Sequence, residues 1–366
     1  DFTLKNRNRY ISKIATGEYD AVILAHSQFE KIPISKERQI MQLEQQINEI
    51  EAAISEMKYE KGENWSVKQM AIFRGNLEAK LEKLSAEEKK DDLLTFEQLG
   101  VDMMFVDEAH FFKNCFVFTK LRNVAGITTS SSQRAFDMLL KCQYLQEVNN
   151  GRGVIFATGT PISNSLSEMF VMQRYLQPQE LERFGWSYFD TWAAHFGKRT
   201  SALEIKPEGG GYRMRDRFAK FYNMPELMAV FREVADIKTS DMLDIPGLPS
   251  VHGGKAEIIT TETTPAQKAI MAEFILRAEA IRAGRVKPEE DNMLKLTSEA
   301  RMMAIDPRLV DPNAGNDPES KLNVCINEVY SLWVDTKEQK SVQLIFCDVG
   351  TPKPGRFNVY DEIKRV

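Results

Sequence analysis

Two stretches of the sequence decide the fold, and in each an apolar run leads into a polar one. Residues 103–110 are Met-Met-Phe-Val-Asp-Glu-Ala-His, and residues 154–164 are Val-Ile-Phe-Ala-Thr-Gly-Thr-Pro-Ile-Ser-Asn. Short apolar runs of this kind are typical of buried strands in a parallel sheet. A third run, residues 20–25 (DAVILA), is similar, and we expect a strand there too. Because amphipathic helical stretches separate the three runs, the sequence predicts an α/β domain with its functional groups at the carboxyl ends of the strands.

Between the predicted strands at residues 20–25 and 103–106, apolar residues recur at helical spacing. They are Ile40, Leu43, Ile47, Ile50, Ile54 and Met57, followed by Val67, Met70, Leu77, Leu81 and Leu84, with Arg74 interrupting the second stripe. This spacing predicts an antiparallel helical hairpin about 30 Å long at ~1.5 Å per residue. Its loop is residues 61–66, and Ser66 with Gln69 forms a predicted capping box. The hairpin either packs only on itself or is an arm that docks DNA or a partner.

The stretch from His195 to Lys220 is basic in an otherwise acidic chain. Seven basic residues against three acidic ones give +4, whereas the whole chain carries −5. The stretch is either a solvated charged surface or a contact for a phosphate backbone, in which case Arg213, Arg215 and Arg217 are candidate DNA-binding residues.

The remaining sequence predicts a largely helical region followed by the start of a second α/β domain. Thr264, Pro265 and Gln267 are typical of a helix start, and Gly284 of its end. After a loop at residues 306–318, a helix begins at about Lys321 and an apolar strand follows at residues 343–347. The predicted domains are residues 1–34 with 96–180, an inserted hairpin at 35–95, a helical extension at 181–318, and the second domain at 319–366.

Composition excludes several classes of protein. Of the 366 residues, 43% are hydrophobic and 28% charged, which is ordinary for a globular protein, and the charge of −5 argues against a wholly basic nucleic-acid coat protein. The four cysteines lie far apart, so we expect neither a zinc site nor a disulfide framework. No apolar run reaches 18 residues and no signal peptide is present, so we expect a soluble, cytoplasmic bacterial protein.

The two deciding stretches carry the residues for phosphate chemistry. Adjacent carboxylates at a strand end, Asp107 and Glu108, suit a Mg²⁺–phosphate site, because Mg²⁺ takes one or two carboxylates plus phosphate oxygens and water. One acid can hold the metal through water while the other orients and deprotonates an attacking water. Thr158 and Thr160, which carry hydroxyl groups, follow the next predicted strand. Thr158 lies 51 residues after Asp107 (158 − 107). They are placed to sense that chemistry.

These motifs resemble those of Swi/Snf-type, superfamily-two helicase-like ATPases. The segments that resemble the family are residues 107–114 (DEAHFFKN, motif II), 158–164 (TGTPISN, motif III), 21–30 (motif Ib) and 320–347 (motif IV, the entry to a second RecA-like lobe). More narrowly, the chain resembles the helicase segment of large proteins of bacterial conjugative elements and phages, in which such a motor is joined to a DNA methylase-like region.

The resemblance implies a RecA-like fold and a role for each motif residue. Asp107 is implied as the acid associated with Mg·ATP, Glu108 as the base and His110 as a coupling residue. The turn of Thr158, Gly159 and Thr160 is implied to link hydrolysis to DNA. The implied DNA contacts are Ser27, Gln28 and Asn164, and the implied partner is double-stranded DNA.

The sequence also departs from the family pattern. It has no G-x-x-x-x-G-K-[ST] loop to cradle the phosphates of ATP, and no late arginine motif to stabilise the transition state. We therefore expect a fragment that depends on upstream and downstream parts of the same polypeptide and is inactive alone. A non-catalytic helicase-like scaffold, or a nuclease using Asp107, Glu108 and His110, are the alternatives.

Overall fold

The computed structural model describes residues 4–59, 64–86, 94–121, 124–125, 127, 132–163, 165–205, 212–243, 246 and 251–366. The chain divides into two compact units. The first is Asp1–Ala202 with Met214–Ser240, and the second is Leu203–Arg213 with Asp241–Val366.

The first unit contains the small parallel sheet on which the site is built. Its helices are α1 (Leu4–Thr16), α2 (His26–Phe29), α3 (Lys36–Tyr59), α4 (Asn64–Ala86), α5 (Gln133–Val148), α6 (Ser167–Leu176), α7 (Pro178–Arg183), α8 (Phe189–Phe196) and α9 (Met224–Phe231), with 3₁₀ turns at Phe96–Leu99 and Ala109–Phe112. Strand β1 is Met104–Val106, β2 is Val124–Ala125 and β3 is Val154–Phe156. β1 and β3 pair in parallel. This confirms a mixed α/β fold with a parallel sheet, while the RecA-like identity of that sheet stays a prediction.

The β1–β3 sheet is buried on one face only. Met104 and Val106 lie in the core, and α5 packs on β3. Phe105 and Ile155, which are partners in the register, are 72% and 44% exposed. The expectation that these strands are buried on both faces is therefore wrong for the described residues.

The predicted helical hairpin is confirmed as α3 and α4. Leu43 and Ile50 of α3 are buried in the seam with Leu77 of α4. Arg74, which interrupts the apolar stripe, bonds across the hairpin to Glu51 at 3.2 Å. The predicted capping box is wrong, because α4 begins at Asn64 and leaves Ser66 inside the helix, where its hydroxyl cannot cap the first turn.

The hairpin does not pack only on itself. The Phe73 ring stacks on Phe116 with centroids 4.5 Å apart, and Lys80 Nζ donates to Gln133 Oε1 at 3.0 Å. Arg38 of α3 donates to both carboxylate oxygens of Glu147 on α5. These contacts fix the hairpin against the α/β part of the unit.

A second sheet occupies the basic stretch, where the sequence pattern did not lead us to expect strands. β4 (Gly197–Ile205) and β5 (Tyr212–Phe221) lie side by side, and β2 pairs in parallel with β5, so the strand order is β2-β5-β4. Phe218 of β5 is buried, whereas Tyr212 is exposed.

The second unit contains α10 (Pro265–Arg282), α11 (Met293–Ile305), α12 (Lys321–Asp335) and α13 (Val359–Arg365), with 3₁₀ turns at Pro307–Leu309 and Lys337–Gln339. The start predicted for α10 is confirmed: Thr264 Oγ1 accepts from Gln267 N, and Gln267 Oε1 accepts from Thr264 N. Arg277 ties α10 to α11 through Glu299 at 2.7 Å.

Two predicted strands are absent from the described structure. Residues 20–25 form no strand, and Ile23 is 97% exposed. At the end of this run, the Ala25 carbonyl accepts from the Gln28 and Phe29 amides at the start of α2. Residues 343–347 likewise form no strand, and Leu344 and Phe346 are exposed. An apolar run becomes a strand only when another strand satisfies its amides and carbonyls. Among the described residues, no helix is both long and apolar enough to cross a lipid bilayer.

Candidate active site

The parallel pairing of β1 and β3 brings the two deciding motifs together. Val106 lies opposite Phe156, and the Ala157 amide donates to the Val106 carbonyl at 2.8 Å. Beyond the strand ends, the Ala109 amide donates to the Ala157 carbonyl at 3.0 Å. The segments after the two strands therefore leave the sheet side by side, as the sequence predicts.

The acidic pair projects toward solvent from a turn that is anchored in the core. Asp107 and Glu108 are exposed, whereas Ala109 and Phe112 of the next 3₁₀ turn are buried. Asp107 Oδ1 accepts from the Glu108 amide at 2.9 Å. Glu108 has φ 50° and ψ 44°, a left-handed conformation that is costly for a side chain with a Cβ. Glu108 is therefore held in a sharp turn of the backbone directly after Asp107.

His110 joins the acidic pair to the hydroxyl-rich turn that follows β3, residues 158–163. Its Nδ1 lies 3.1 Å from Glu108 Oε2 and 3.2 Å from Thr158 Oγ1. With a proton on Nδ1, the ring can donate to the carboxylate; without one, it can accept from the threonine hydroxyl. Thr158 Oγ1 in turn accepts from the Thr160 amide at 3.1 Å. A change at Glu108 can therefore reach the turn through one imidazole.

The backbone at Gly159 does not itself require glycine. An added Cβ would meet no atom within 4 Å, and Gly159 is not among the glycines with positive φ. Its exposed position leaves room for another molecule to approach the backbone closely.

Of the predicted DNA contacts, those on α2 lie beside the acidic segment. The His26 ring packs on Phe111 and Phe112, with centroids 5.6 Å and 5.3 Å apart. Ser27 is exposed on the same helix, while Gln28 Oε1 accepts from the Ala25 amide at 3.1 Å. The Gln28 side chain is thus engaged in capping α2.

Of the other predicted DNA contacts, Arg217 is the one whose side chain the structure describes. Arg217 is exposed on β5, which belongs to the β2-β5-β4 sheet and not to the sheet of β1 and β3. The side chains of Arg213 and Arg215, and all of Asn164, lie outside the described residues.

Sequence reasoning missed Glu168, on the first turn of α6. It is 3.1 Å from Lys113 Nζ and accepts from the Ser163 amide at 2.6 Å. Nothing in the sequence links Glu168 to a lysine 55 residues earlier (168 − 113), so only the folded chain reveals the contact. Across the described ranges, no three His, Cys, Asp or Glu side chains gather into a group able to hold a metal ion by themselves.

This sheet, with its paired motifs, lies in the part of the chain that a known family covers. The chain belongs to the family described as "Probable helicase domain", which matches residues 1–239. It is also similar to the "Defense against restriction protein B" of Escherichia phage P1, at 28% identity over 197 residues. That match covers 53% of this chain and 9% of the phage protein, so the chain corresponds to a small part of that relative. No solved structure matches the chain.

Proposed function

We propose that this chain is part of a Swi/Snf-type, DEAH-box motor with RecA-like lobes, which hydrolyses ATP with Mg²⁺ to translocate on or remodel double-stranded DNA. The observation that carries the proposal is the position of His110 Nδ1, within 3.2 Å of both Glu108 and Thr158. One imidazole thus connects an acidic pair and a hydroxyl-rich turn at the carboxyl ends of neighbouring parallel strands, where α/β sheets bind ligands. Membership of a helicase-domain family supports a motor over an unrelated hydrolase.

The acidic pair fits a Mg²⁺–nucleotide complex. Mg²⁺ needs only one or two carboxylates from the protein when phosphate oxygens and water complete its shell, so the absence of a three-ligand cluster among the described residues is compatible with it. Bound with ATP, the ion would neutralise charge on the phosphate oxygens. In this proposal Asp107 holds the ion through water, and Glu108 orients the attacking water and accepts its proton.

The contact between His110 and Thr158 provides the coupling step. When Glu108 accepts a proton, its carboxylate becomes a weaker acceptor for the imidazole, and the balance between the two contacts of Nδ1 changes. Thr158 then alters its bond with the Thr160 amide and moves the exposed turn. We assign the exposed turn and the described residues Ser27, Gln28 and Arg217 to the DNA backbone. Asn164, Arg213 and Arg215 are assigned to it as well.

The name of the phage relative suggests where such a motor works. We propose a large protein of a phage or conjugative element, acting on DNA in the bacterial cytoplasm, in which the motor is joined to a methylase-like region. In this proposal, other parts of that polypeptide are its partners in hydrolysis.

The test compares two variants of the full-length protein with a matched control. Asp107→Asn and Glu108→Gln should each reduce the kcat of DNA-stimulated ATP hydrolysis by about 100-fold or more, because each removes a charge that the chemistry needs. Asp102→Asn neutralises an exposed acid two residues before β1 and should leave kcat unchanged.

Three outcomes would overturn the assignment. Undiminished ATPase activity in both variants would exclude the acidic pair from the chemistry. Absence of hydrolysis in the unaltered protein, with DNA binding that ignores nucleotide, would favour a non-catalytic scaffold instead. Mg²⁺-dependent DNA cutting without ATP would indicate a nuclease.

A further inference from the structure

Lys113 is a buried cation between the two motif segments. It comes directly after the 3₁₀ turn that carries His110, and its side chain is 8% exposed. The ammonium donates to Ser163 Oγ at 2.7 Å and to the Thr160 carbonyl at 3.1 Å, and it lies 3.1 Å from Glu168 Oε2. An ammonium has three N–H groups, so each has an acceptor here. Two of those acceptors belong to the hydroxyl-rich turn.

Glu168 holds the same turn through its backbone. Its side chain is 4% exposed, and Oε2 accepts from the Ser163 amide at 2.6 Å. The negative charge is also favourable in the first turn of α6, where the helix dipole is positive. Lys113 and Glu168 thus bind a carbonyl, a hydroxyl and an amide of residues 160–163. Pro161, within this segment, has no amide hydrogen to contribute.

These contacts are on the buried side of a turn whose other side is open. Residues 159–163 are exposed as whole residues, and their neighbour Thr158 is half-buried. The contact between His110 and Thr158 joins the segments where the acids project, and the Lys113–Glu168 pair joins them beneath. Without Lys113, the turn loses two of the hydrogen bonds that join it to the segment of the acids, those at Thr160 and Ser163.

We propose that Lys113 is a positioning residue for ATP hydrolysis and that Glu168 is its counter-ion, the pair fixing the turn at residues 158–163 relative to Asp107 and Glu108. This inference rests on the proposed function. Both side chains are buried beneath the turn, away from its exposed surface, so both act through the turn. A mutation away from the reacting atoms that displaces a catalytic group by about 1 Å can reduce a rate about 100-fold.

The kinetic test separates positioning from plain stabilisation. In the full-length protein, Lys113→Met should lower kcat about 100-fold with little change in the KM for ATP. The double variant Lys113→Met with Glu168→Met removes both buried charges, so thermal stability should recover. Because the contacts of Lys113 and Glu168 with the turn are still missing, kcat should stay low. Lys113→Arg, which keeps the charge, should restore part of kcat.

Gln177→Met is the matched control. Gln177 is buried, donates to the Val230 carbonyl at 3.1 Å and accepts from Gln173 Nε2 at 3.1 Å. Its loss also removes buried hydrogen bonds, but neither of these joins the motif segments. This variant should lose stability while kcat is unchanged. Recovery of kcat together with stability in the double variant would overturn the proposal, as would a wild-type kcat in Lys113→Met.

Hydrogen exchange of the 366-residue chain without nucleotide tests the tether, by which we mean the contacts of Lys113 and Glu168 with residues 160–163. Exchange of the amides in residues 158–163 should accelerate about tenfold or more in Lys113→Met, and not in Gln177→Met. If the unaltered full-length protein proves to have no ATPase activity, the proposed function fails, yet this exchange still shows whether the tether exists. Unchanged exchange in Lys113→Met would refute the tether itself.

Discussion

Replacement of Lys141 by methionine tests how the segment around α2 is held. The Lys141 side chain is 0% exposed on α5, with Nζ 2.6 Å from Asp137 Oδ2 and 3.2 Å from the Phe29 carbonyl at the end of α2. Nζ also lies 4.2 Å from the centroid of the Phe29 ring. Lys141→Met leaves a carboxylate and a carbonyl without their donor. One cation therefore connects α5 to the helix that bears Ser27.

The loss of stability expected for Lys141→Met follows from the free-energy cost of leaving a buried charge unpaired. Breaking one partner of a buried pair costs about 3–5 kcal/mol. Burial raises the pKa of Asp137 and lowers the pKa of Lys141, so an unpaired Asp137 can take up a proton and limit the loss. We therefore expect Lys141→Met to reduce the free energy of local opening by about 3 kcal/mol at neutral pH. Lys141→Met combined with Asp137→Leu should recover most of it.

Native-state hydrogen exchange of peptides from α2 and α5 is the suitable assay, because it reports each segment separately in a chain with two units. Lys238→Met is the control: its ion pair with Asp236 is exposed and 3.4 Å long, so it should cost less than about 1 kcal/mol. If Lys141→Met behaves like the control, or if the double variant is less stable than the single one, the reasoning about the buried pair is refuted.

Two further predictions concern the second unit. Hydrogen bonds from Arg365 and Arg308 lower the pKa of Glu362 to about 2 from its ordinary 4.5. Because the folded-state pKa is lowered, Glu362 stabilises the fold above about pH 4.5, and this contribution is lost as the pH falls toward 2. Glu362→Gln should remove that part of the acid dependence of exchange in α13, and an unchanged slope would contradict it. Thr264→Ala removes the N-cap of α10 and should cost about 1 kcal/mol of protection against hydrogen exchange in its first turn, whereas Thr264→Ser should not. Equal exchange in both variants would show that the cap is unimportant.

The placement of the motifs could be predicted from the sequence because its causes are local. Apolar runs at residues 103–106 and 154–157 form β1 and β3, and the residues after each strand must emerge at the same edge of a parallel sheet. The hairpin of α3 and α4 is equally predictable, since its seam is repeated over many helical turns. The catalytic and DNA-binding roles of the residues themselves stay predictions.

The features that could not be predicted depend on distant partners. Residues 20–25 have the composition of a strand, but composition does not reveal whether a neighbouring strand is there to pair with. The Lys113–Glu168 pair joins residues far apart in the chain. In β5, apolar and charged residues alternate only from Tyr212 to Arg215, which is too short a strand signal to outweigh the interpretation as a basic surface.

The left-handed backbone at Glu108 has a consequence for how this site can change. Glycine or asparagine would adopt φ 50° more comfortably, so a glutamate there is held against the preference of its own backbone. Random substitution at this position can therefore give a more stable protein that lacks the base we propose. Variants selected for thermal stability alone should accumulate glycine at position 108, as expected if stability and the proposed catalytic role make opposite demands there.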